Sequence, residues 1–388
     1  MFDRTAQGPI ARWWWTVDKT MLAAVAILML GGLILSLAAS PPVADRLGLD
    51  HFHFVKRHAL FLIPAVAVML GTSLLDPRSL RRVAVIVLAV GVVVMMATLV
   101  VGVEVKGSRR WISIGSFALQ PSEFVKPAFC VVCAWLFAEA DKRPDMPAMP
   151  AVLALLILVA GLLILQPDLG QTLLIVVVWA GLFFAAGMPA IWIGVFAALG
   201  SAGIAAAYAL LPHVKSRIDR FLNPESHDTF QVDTAMEAVL RGGWFGRGPG
   251  EGAVKRVLPD SHTDFIFAVA AEEYGIILSL LLVALFGFIV VRALIQAVRL
   301  QDRFERLAVT GLAMLFGLQA GINMAVNLSL LPAKGMTLPF ISYGGSSMIS
   351  LAFGMGMLLG ITRRRPSPDP LARPVRPPRP ARLKESAA

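Results

Sequence analysis

Apolar runs close to the length of a bilayer crossing recur along the whole chain, and they leave few folds open. A helix needs about 20 predominantly apolar residues to cross a membrane, and inside it every backbone polar group must find an internal partner. Runs of this kind occupy 21–40, 58–75, 82–102, 122–139, 149–165, 171–187, 190–210, 267–291, 308–330 and 341–362. The expectation is an all-α polytopic membrane protein with ten transmembrane helices. Charged residues make up 15% of the sequence, against roughly 25% in soluble domains, which excludes a soluble multidomain protein.

The connections set the domain plan. Residues 1–20 form a polar N-terminal segment in which Trp13, Trp14 and Trp15 read as an interfacial anchor. The first apolar run is long and lacks a small-residue cleavage motif, so a cleaved signal peptide is not expected. The helical body covers 21–362, and one large hydrophilic loop, 211–263, lies between helices 7 and 8. The tail 363–388 has too much proline and too little apolar content to fold alone. Ten spans place both ends on one side, and the Lys and Arg excess assigns that side to the cytoplasm. The net charge of +10 then reflects the tail and the flanks of spans, which suit anionic lipid and need no nucleic acid.

Cys130 and Cys133 share an apolar run without a second ligand pair, so packing is the better reading. His51, His53 and His58 read as a surface loop, since no carboxylate or cysteine pattern accompanies them. Ser122 is expected to cap the fourth span, with Glu123 in its first turn. The stretch 103–121 reads as a hairpin or a re-entrant piece.

The residues that suggest chemistry gather at the mouths of spans. The segment 255–275, KRVLPDSHTDFIFAVAAEEYG, ends the large loop and enters span eight. Asp264 there has two readings: a helix cap, or a partly desolvated general base. Nearby His262, Glu272 and Glu273 favour the second. Glu123 and Lys126 share a helix face, either as a structural ion pair or as a substrate-handling pair, because ionisable groups inside a span need partners. Arg109 and Arg110 suit a phosphate, of a lipid headgroup or of a substrate. Asp168 sits in a Pro-broken junction that is either a turn or a cavity edge. Gln319, Asn323 and Asn327 line one face of span nine, where interhelical hydrogen bonding is sufficient reason. The Gly-rich stretch 242–256, ending in Lys255 and Arg256, lacks the GK[ST] of a phosphate loop; it is a basic loop for an anionic headgroup or a plain connector. A second Gly-rich element, 338–347, opens span ten and includes Ser346.

Five motifs in order, KGSRRWI at 106–112, QPSEFVK at 120–126, QPDLG at 166–170, LPDSHTDFIFAVAAEE at 258–273 and GMTLPFISYGGSS at 335–347, resemble the SEDS family of FtsW, RodA and SpoVE. The likeness extends over 15–362, and the GSRRWI form and the LPAKGMTLPFISYGG ending resemble the cell-division branch. The resemblance implies a peptidoglycan glycosyltransferase that polymerises lipid II with inversion, displacing undecaprenyl pyrophosphate. It puts the family's essential aspartate on Asp264, its Glu and Lys on Glu123 and Lys126, and its paired arginines on Arg109 and Arg110. Asp168, Lys255, His262, Glu272, Glu273, Asn323 and Ser346 are expected to bind substrate or support the site. A divalent cation, Mg2+ or Mn2+, would assist the leaving group, although no metal site is readable from spacing. The implied partners are a class B penicillin-binding transpeptidase of the FtsI type and the FtsQ–FtsB–FtsL assembly, in the inner membrane at the division septum. The competing readings are a lipid II flippase, which calls for an internal repeat that is not visible, and a non-catalytic division scaffold.

Overall fold

The computed structural model describes residues 8–105, 108–115, 117–143, 145–210, 214–216, 218–219, 230–332 and 335–364. The tail from 365 onward and parts of the large loop lie outside the described residues. The helices are α1 (Pro9–Thr16), α2 (Lys19–Ala39), α3 (Pro41–Arg46), α4 (His53–Leu74), α5 (Pro77–Val101), α6 (Pro121–Lys142), α7 (Ala148–Leu165), α8 (Leu169–Ala185), α9 (Ile191–Leu210), α10 (Phe230–Gly242), α11 (Ile266–Arg299), α12 (Arg303–Asn327) and α13 (Gly345–Ile361). Ten of them, α2, α4–α9 and α11–α13, coincide with the expected spans. Seven are long and apolar enough to cross a membrane by length and composition; α8 and α13 are shorter apolar helices of 17 residues. The tenth, α6, has 22 residues but carries Glu123 and Lys126.

That polar content explains why α6 lies at the centre. A charged side chain at membrane depth must face protein or water rather than lipid, so this helix is enclosed by α5, α7, α8, α12 and α13. Phe129, Cys130, Val131, Cys133, Ala134 and Phe137 are fully buried along it, which makes both cysteines packing residues. The outer helices instead present large apolar side chains, such as Ile27, Leu30 and Ile34 on α2 and Ile86, Val90 and Val93 on α5. With no aqueous route to hide them, these faces belong against lipid tails.

Pro127 lies inside α6 and has no N–H, so the Glu123 carbonyl one turn earlier loses its helical donor. The Ser350 hydroxyl of α13 donates to that carbonyl at 2.5 Å. The glycines of α13 let it lie close against α4: a Cβ on Gly356 would collide with the Thr72 hydroxyl.

The other expectations are refined locally. Three strands, β1 (Val103–Val105), β2 (Ser108–Ile114) and β3 (Phe117–Leu119), form an antiparallel sheet before α6. Helix α6 starts at Pro121 with Gln120 in the cap position, so Ser122 is not the cap. His58 is not a loop residue but lies fully buried within α4. Trp13 is buried too, its indole N–H donating to Ser73 Oγ at 2.9 Å, while Trp15 stays exposed with the Lys19 ammonium over its ring. Helix α9 has no buried residue; it meets the bundle through Trp192 and Phe196, which pack on Trp179 and Phe183 of α8.

The long α11 is broken at Gly275, whose φ of 79° and ψ of −177° are not helical. The loop after α10 repairs the break. Arg247 and Gly248 amides donate to the Glu272 and Glu273 carbonyls at 2.9 and 3.0 Å, and Ile276 and Ile277 amides donate to the Gly243 and Trp244 carbonyls at 2.9 and 3.3 Å. This approach requires glycine on both sides: a Cβ on Gly275 would strike the Trp244 carbonyl, and one on Gly246 the Glu273 carbonyl.

Candidate functional site

Asp264 ends the loop that leads into α11 and is half-buried. The cap position of α11 is taken by Phe265, which makes no side-chain cap. Asn327 closes the helix end instead, its Oδ1 accepting from the Ala268 amide at 3.0 Å. The Asn327 and Asn323 amides both donate to the Asp264 carbonyl at 2.9 Å. On the other side, Ser342 Oγ donates to the Thr263 carbonyl at 2.5 Å and the Tyr343 amide donates to the His262 carbonyl at 2.9 Å. Three consecutive backbone carbonyls, 262 to 264, are therefore held by α12 and by the segment before α13. Preorganisation of this kind is what a catalytic carboxylate needs to keep one geometry.

His262 forms an aromatic triangle with Phe54 and Tyr343, its centroid 4.5 and 5.5 Å from theirs and theirs 5.2 Å apart. Burial pushes its pKa down to about 4, with Asp260 pulling weakly upward and Arg46 downward. The ring is thus neutral at physiological pH and serves to pack the mouth.

A buried polar network runs inward from the sheet. On strand β2 successive side chains point to opposite faces, and the two arginines separate accordingly. Arg109 is exposed, with one long ion pair to Glu104 at 3.4 Å. Arg110 turns inward: its Nε donates to the Gln166 carbonyl at 2.9 Å, its guanidinium also to the Pro167 carbonyl, and it lies 3.3 Å from the Asp168 carboxylate. Asp168 caps α8 by accepting from the Gln171 amide. Burial pushes its carboxyl up, and the Arg110 charge pulls it the other way.

Gln171 continues the chain to the ion pair of α6. Lys126 Nζ donates to Glu123 Oε1 at 2.9 Å, to Gln171 Oε1 at 2.9 Å and to Gln319 Oε1 at 3.0 Å. All three ammonium protons have acceptors, so Lys126 braces α6, α8 and α12 together. Gln319 passes the link on to Thr337, by 3.2 Å to its carbonyl, and Thr337 Oγ1 meets Ser347 Oγ at 2.8 Å. Ser346 Oγ accepts from the Gln120 amide at 3.4 Å. Beneath the network, α6, α12 and α13 line a small, partly open cleft with Glu123, Lys126 and Gln319 at its polar end and Leu312, Met355 and Leu358 below.

The two regions meet at residues 335–347. A Cβ on Gly335 would lie 3.5 Å from Asp264 Oδ2, the Met336 carbonyl accepts from Asn323 at 2.6 Å, and Thr337 reaches Gln319. The stripe Gln319, Asn323, Asn327 is the physical bridge between the Lys126 network and the Asp264 mouth.

Glu272, Glu273 and Lys255 belong to a separate cluster. Glu272 accepts from the Val254 and Lys255 amides at 2.8 and 3.0 Å, and the Lys255 ammonium pairs with Glu273 and donates to the Ala38 carbonyl at 3.0 Å. All three side chains are buried. They lock the Gly-rich stretch onto α11 and commit the Lys255 ammonium to the protein interior.

Sequence reasoning did not single out Gln171, Thr337, Ser342 or Ser350. A lone glutamine or serine inside an apolar run signals a buried partner, but the partner itself lies far along the chain. Among the described residues, no three His, Cys, Asp or Glu side chains group to hold a metal.

Ten helices that match the expected spans around a polar interior, with an acidic helix mouth braced from two sides, define an integral membrane protein. The chain belongs to the cell cycle protein family of FtsW, RodA and SpoVE, whose model matches residues 18–366. It is 47% identical over 366 residues to a Caulobacter vibrioides (strain NA1000 / CB15N) protein named "Probable peptidoglycan glycosyltransferase FtsW", covering 94% of each chain. A Trichlorobacter lovleyi protein of the same name is 37% identical, over 89% of this chain and 93% of that one. Among solved structures, the fold is similar to a chain from "Structural coordination of polymerization and crosslinking by a peptidoglycan synthase complex", with a TM-score of 0.73, 28% identity and coverage of 89% and 97%. It is also similar to Thermus thermophilus RodA, with a TM-score of 0.64, 26% identity and coverage of 90% and 97%.

Proposed function

We propose that this protein is a peptidoglycan glycosyltransferase that polymerises lipid II during septal wall synthesis, with Asp264 as general base. The observation that carries the reading is the half-buried Asp264 at the mouth of α11, its backbone fixed by Asn323, Asn327 and Ser342. The acceptor sugar hydroxyl gives its proton to the Asp264 carboxylate as it attacks the anomeric carbon of the donor. The bond to the lipid pyrophosphate breaks on the opposite face, which inverts the configuration without a covalent sugar intermediate. The leaving group departs as an anion, so it needs charge stabilisation more than protonation.

Arg109 is the exposed arginine of the pair and the one left to supply that charge. Its exposed ion pair with Glu104 is worth about 0–1 kcal/mol and gives way readily to a phosphate. Arg110 and Lys126 have their donors committed to protein acceptors and hold the frame. A Mg2+ or Mn2+ ion would screen the pyrophosphate when bound. With no acidic or histidine cluster among the described residues to hold it, substrate phosphates and water would supply most of its oxygen ligands.

The Lys and Arg excess supports placing both termini in the cytoplasm and the 211–263 loop outside. A class B transpeptidase of the FtsI type is the partner that would crosslink the product, with FtsQ–FtsB–FtsL as activator. The test is polymerisation of labelled lipid II by the reconstituted protein, with and without the transpeptidase, beside Asp264→Asn. Glycan strands from the wild type and none from a folded D264N are expected. Full polymerisation by D264N would remove Asp264 from its role. Lipid II translocation without polymerisation would favour a transporter.

A further inference from the structure

The loop that repairs the break in α11 carries an apolar tip that stays exposed among the described residues. Trp244 is 67% exposed, Phe245 83%, and Leu240 on the last turn of α10 is 74% exposed. The tip is held firmly from behind, by the four backbone hydrogen bonds to the residues around Gly275 and by the Glu272–Glu273–Lys255 cluster. Its side chains are thus presented outward by a fixed frame.

The Trp244 carbonyl accepts from the Ile277 amide, and Ile277, Leu280 and Leu281 are exposed on the following turns of α11. Those residues belong to a membrane-spanning helix and face lipid. The Trp-Phe tip is continuous with that face. Arg241 and Arg247, both exposed, flank it, and Arg247 Nε donates to the Arg241 carbonyl at 2.8 Å. Aromatic rings beside arginines at the end of a span are the composition of a membrane–water interface, where Arg stems lie along apolar surface and their charges reach the headgroups.

We propose that residues 240–247 are an interfacial anchor, with Trp244 and Phe245 inserted among the lipid headgroups and upper acyl chains on the large-loop side of the membrane. Burying these rings takes apolar surface out of water, which is favourable, and the anionic headgroups receive Arg241 and Arg247. The anchor fixes the height of the broken helix, and hence of the mouth at Asp264, relative to the bilayer surface. It stands independently of the proposed reaction.

The test uses the full chain in lipid nanodiscs, spin-labelled at Phe245→Cys and, separately, at Glu251→Cys on the same loop. Cys130 and Cys133 are fully buried and do not compete for label. The relative accessibility to oxygen, which concentrates in lipid, over a water-soluble nickel chelate is expected to be several-fold higher at 245 than at 251. As a second measurement, the fluorescence lost in Trp244→Phe should be the component quenched by lipids brominated near the headgroup. Equal water accessibility at 245 and 251, with no quenchable Trp244 component, overturns the anchor. A label at 245 that is water-accessible in lipid and becomes shielded only on adding the transpeptidase overturns it in favour of a protein-docking surface.

Discussion

The Ser350 hydroxyl stands in for a backbone amide, donating at 2.5 Å to the Glu123 carbonyl that Pro127 leaves without its helical donor. The contact ties α13 to α6 at the residue that also pairs with Lys126. Ser350→Ala strands a buried acceptor, which costs ~1–3 kcal/mol. We expect a lower thermal unfolding midpoint for S350A. Pro127→Ala restores the missing N–H, so the double variant should regain much of the loss. Additive effects of the two changes would show that the hydroxyl and the proline are not coupled.

Asn327 should act on the reaction through Asp264. It donates to the Asp264 carbonyl and accepts from the Ala268 amide, so Asn327→Ala loosens the mouth without touching substrate. The expected result is a kcat reduced about tenfold or more with KM for lipid II little changed, since loss of orientation is a transition-state effect. A shift in KM alone would contradict it.

The two adjacent arginines should separate cleanly. Arg109→Gln is expected to weaken lipid II binding while leaving the unfolding midpoint within a degree or two. Arg110→Gln leaves the buried Asp168 without its cation, and breaking such a pair costs about 3–5 kcal/mol. Asp168→Asn added to R110Q should recover stability. Comparing midpoints and KM across the four proteins decides the matter.

Acid should destabilise the mouth through His262. Its folded pKa of about 4 lies below the ordinary 6.5, so between those values the unfolded chain binds the proton and the folded chain does not. Stability is therefore fully present above pH 6.5 and falls as pH drops toward 4, by up to about 3 kcal/mol. Between pH 7.5 and 5, His262→Gln should show a smaller drop in midpoint than the wild type. Parallel pH curves for the two proteins would locate the acid sensitivity elsewhere.

The spans were legible because bilayer thickness writes their length into the hydropathy. The central place of α6 was not: a span that carries Glu123 and Lys126 is deeply enclosed because its charges need the interior. Asp264 could be read from its place between a polar loop and an apolar run, but its clamp could not, since Asn323 and Asn327 are some 60 residues away. Lys126 showed its need for partners, yet Gln171 and Gln319 are distant in sequence and nothing local names them. Arg109 and Arg110 read as one patch until the strand gave them opposite faces. Glu272 and Glu273 seemed part of the Asp264 cluster by sequence proximity, whereas their helical phase turns them toward the Gly-rich stretch.

The discontinuity at Gly275 gives α11 a short leading piece, 266–274, that is stitched to residues 243–248 and separated by one residue's dihedral angles from the long shaft behind it. Two of the stitches reach Ile276 and Ile277 beyond the break, so residues 243–248 bridge the leading piece and the shaft and hold the angle between them.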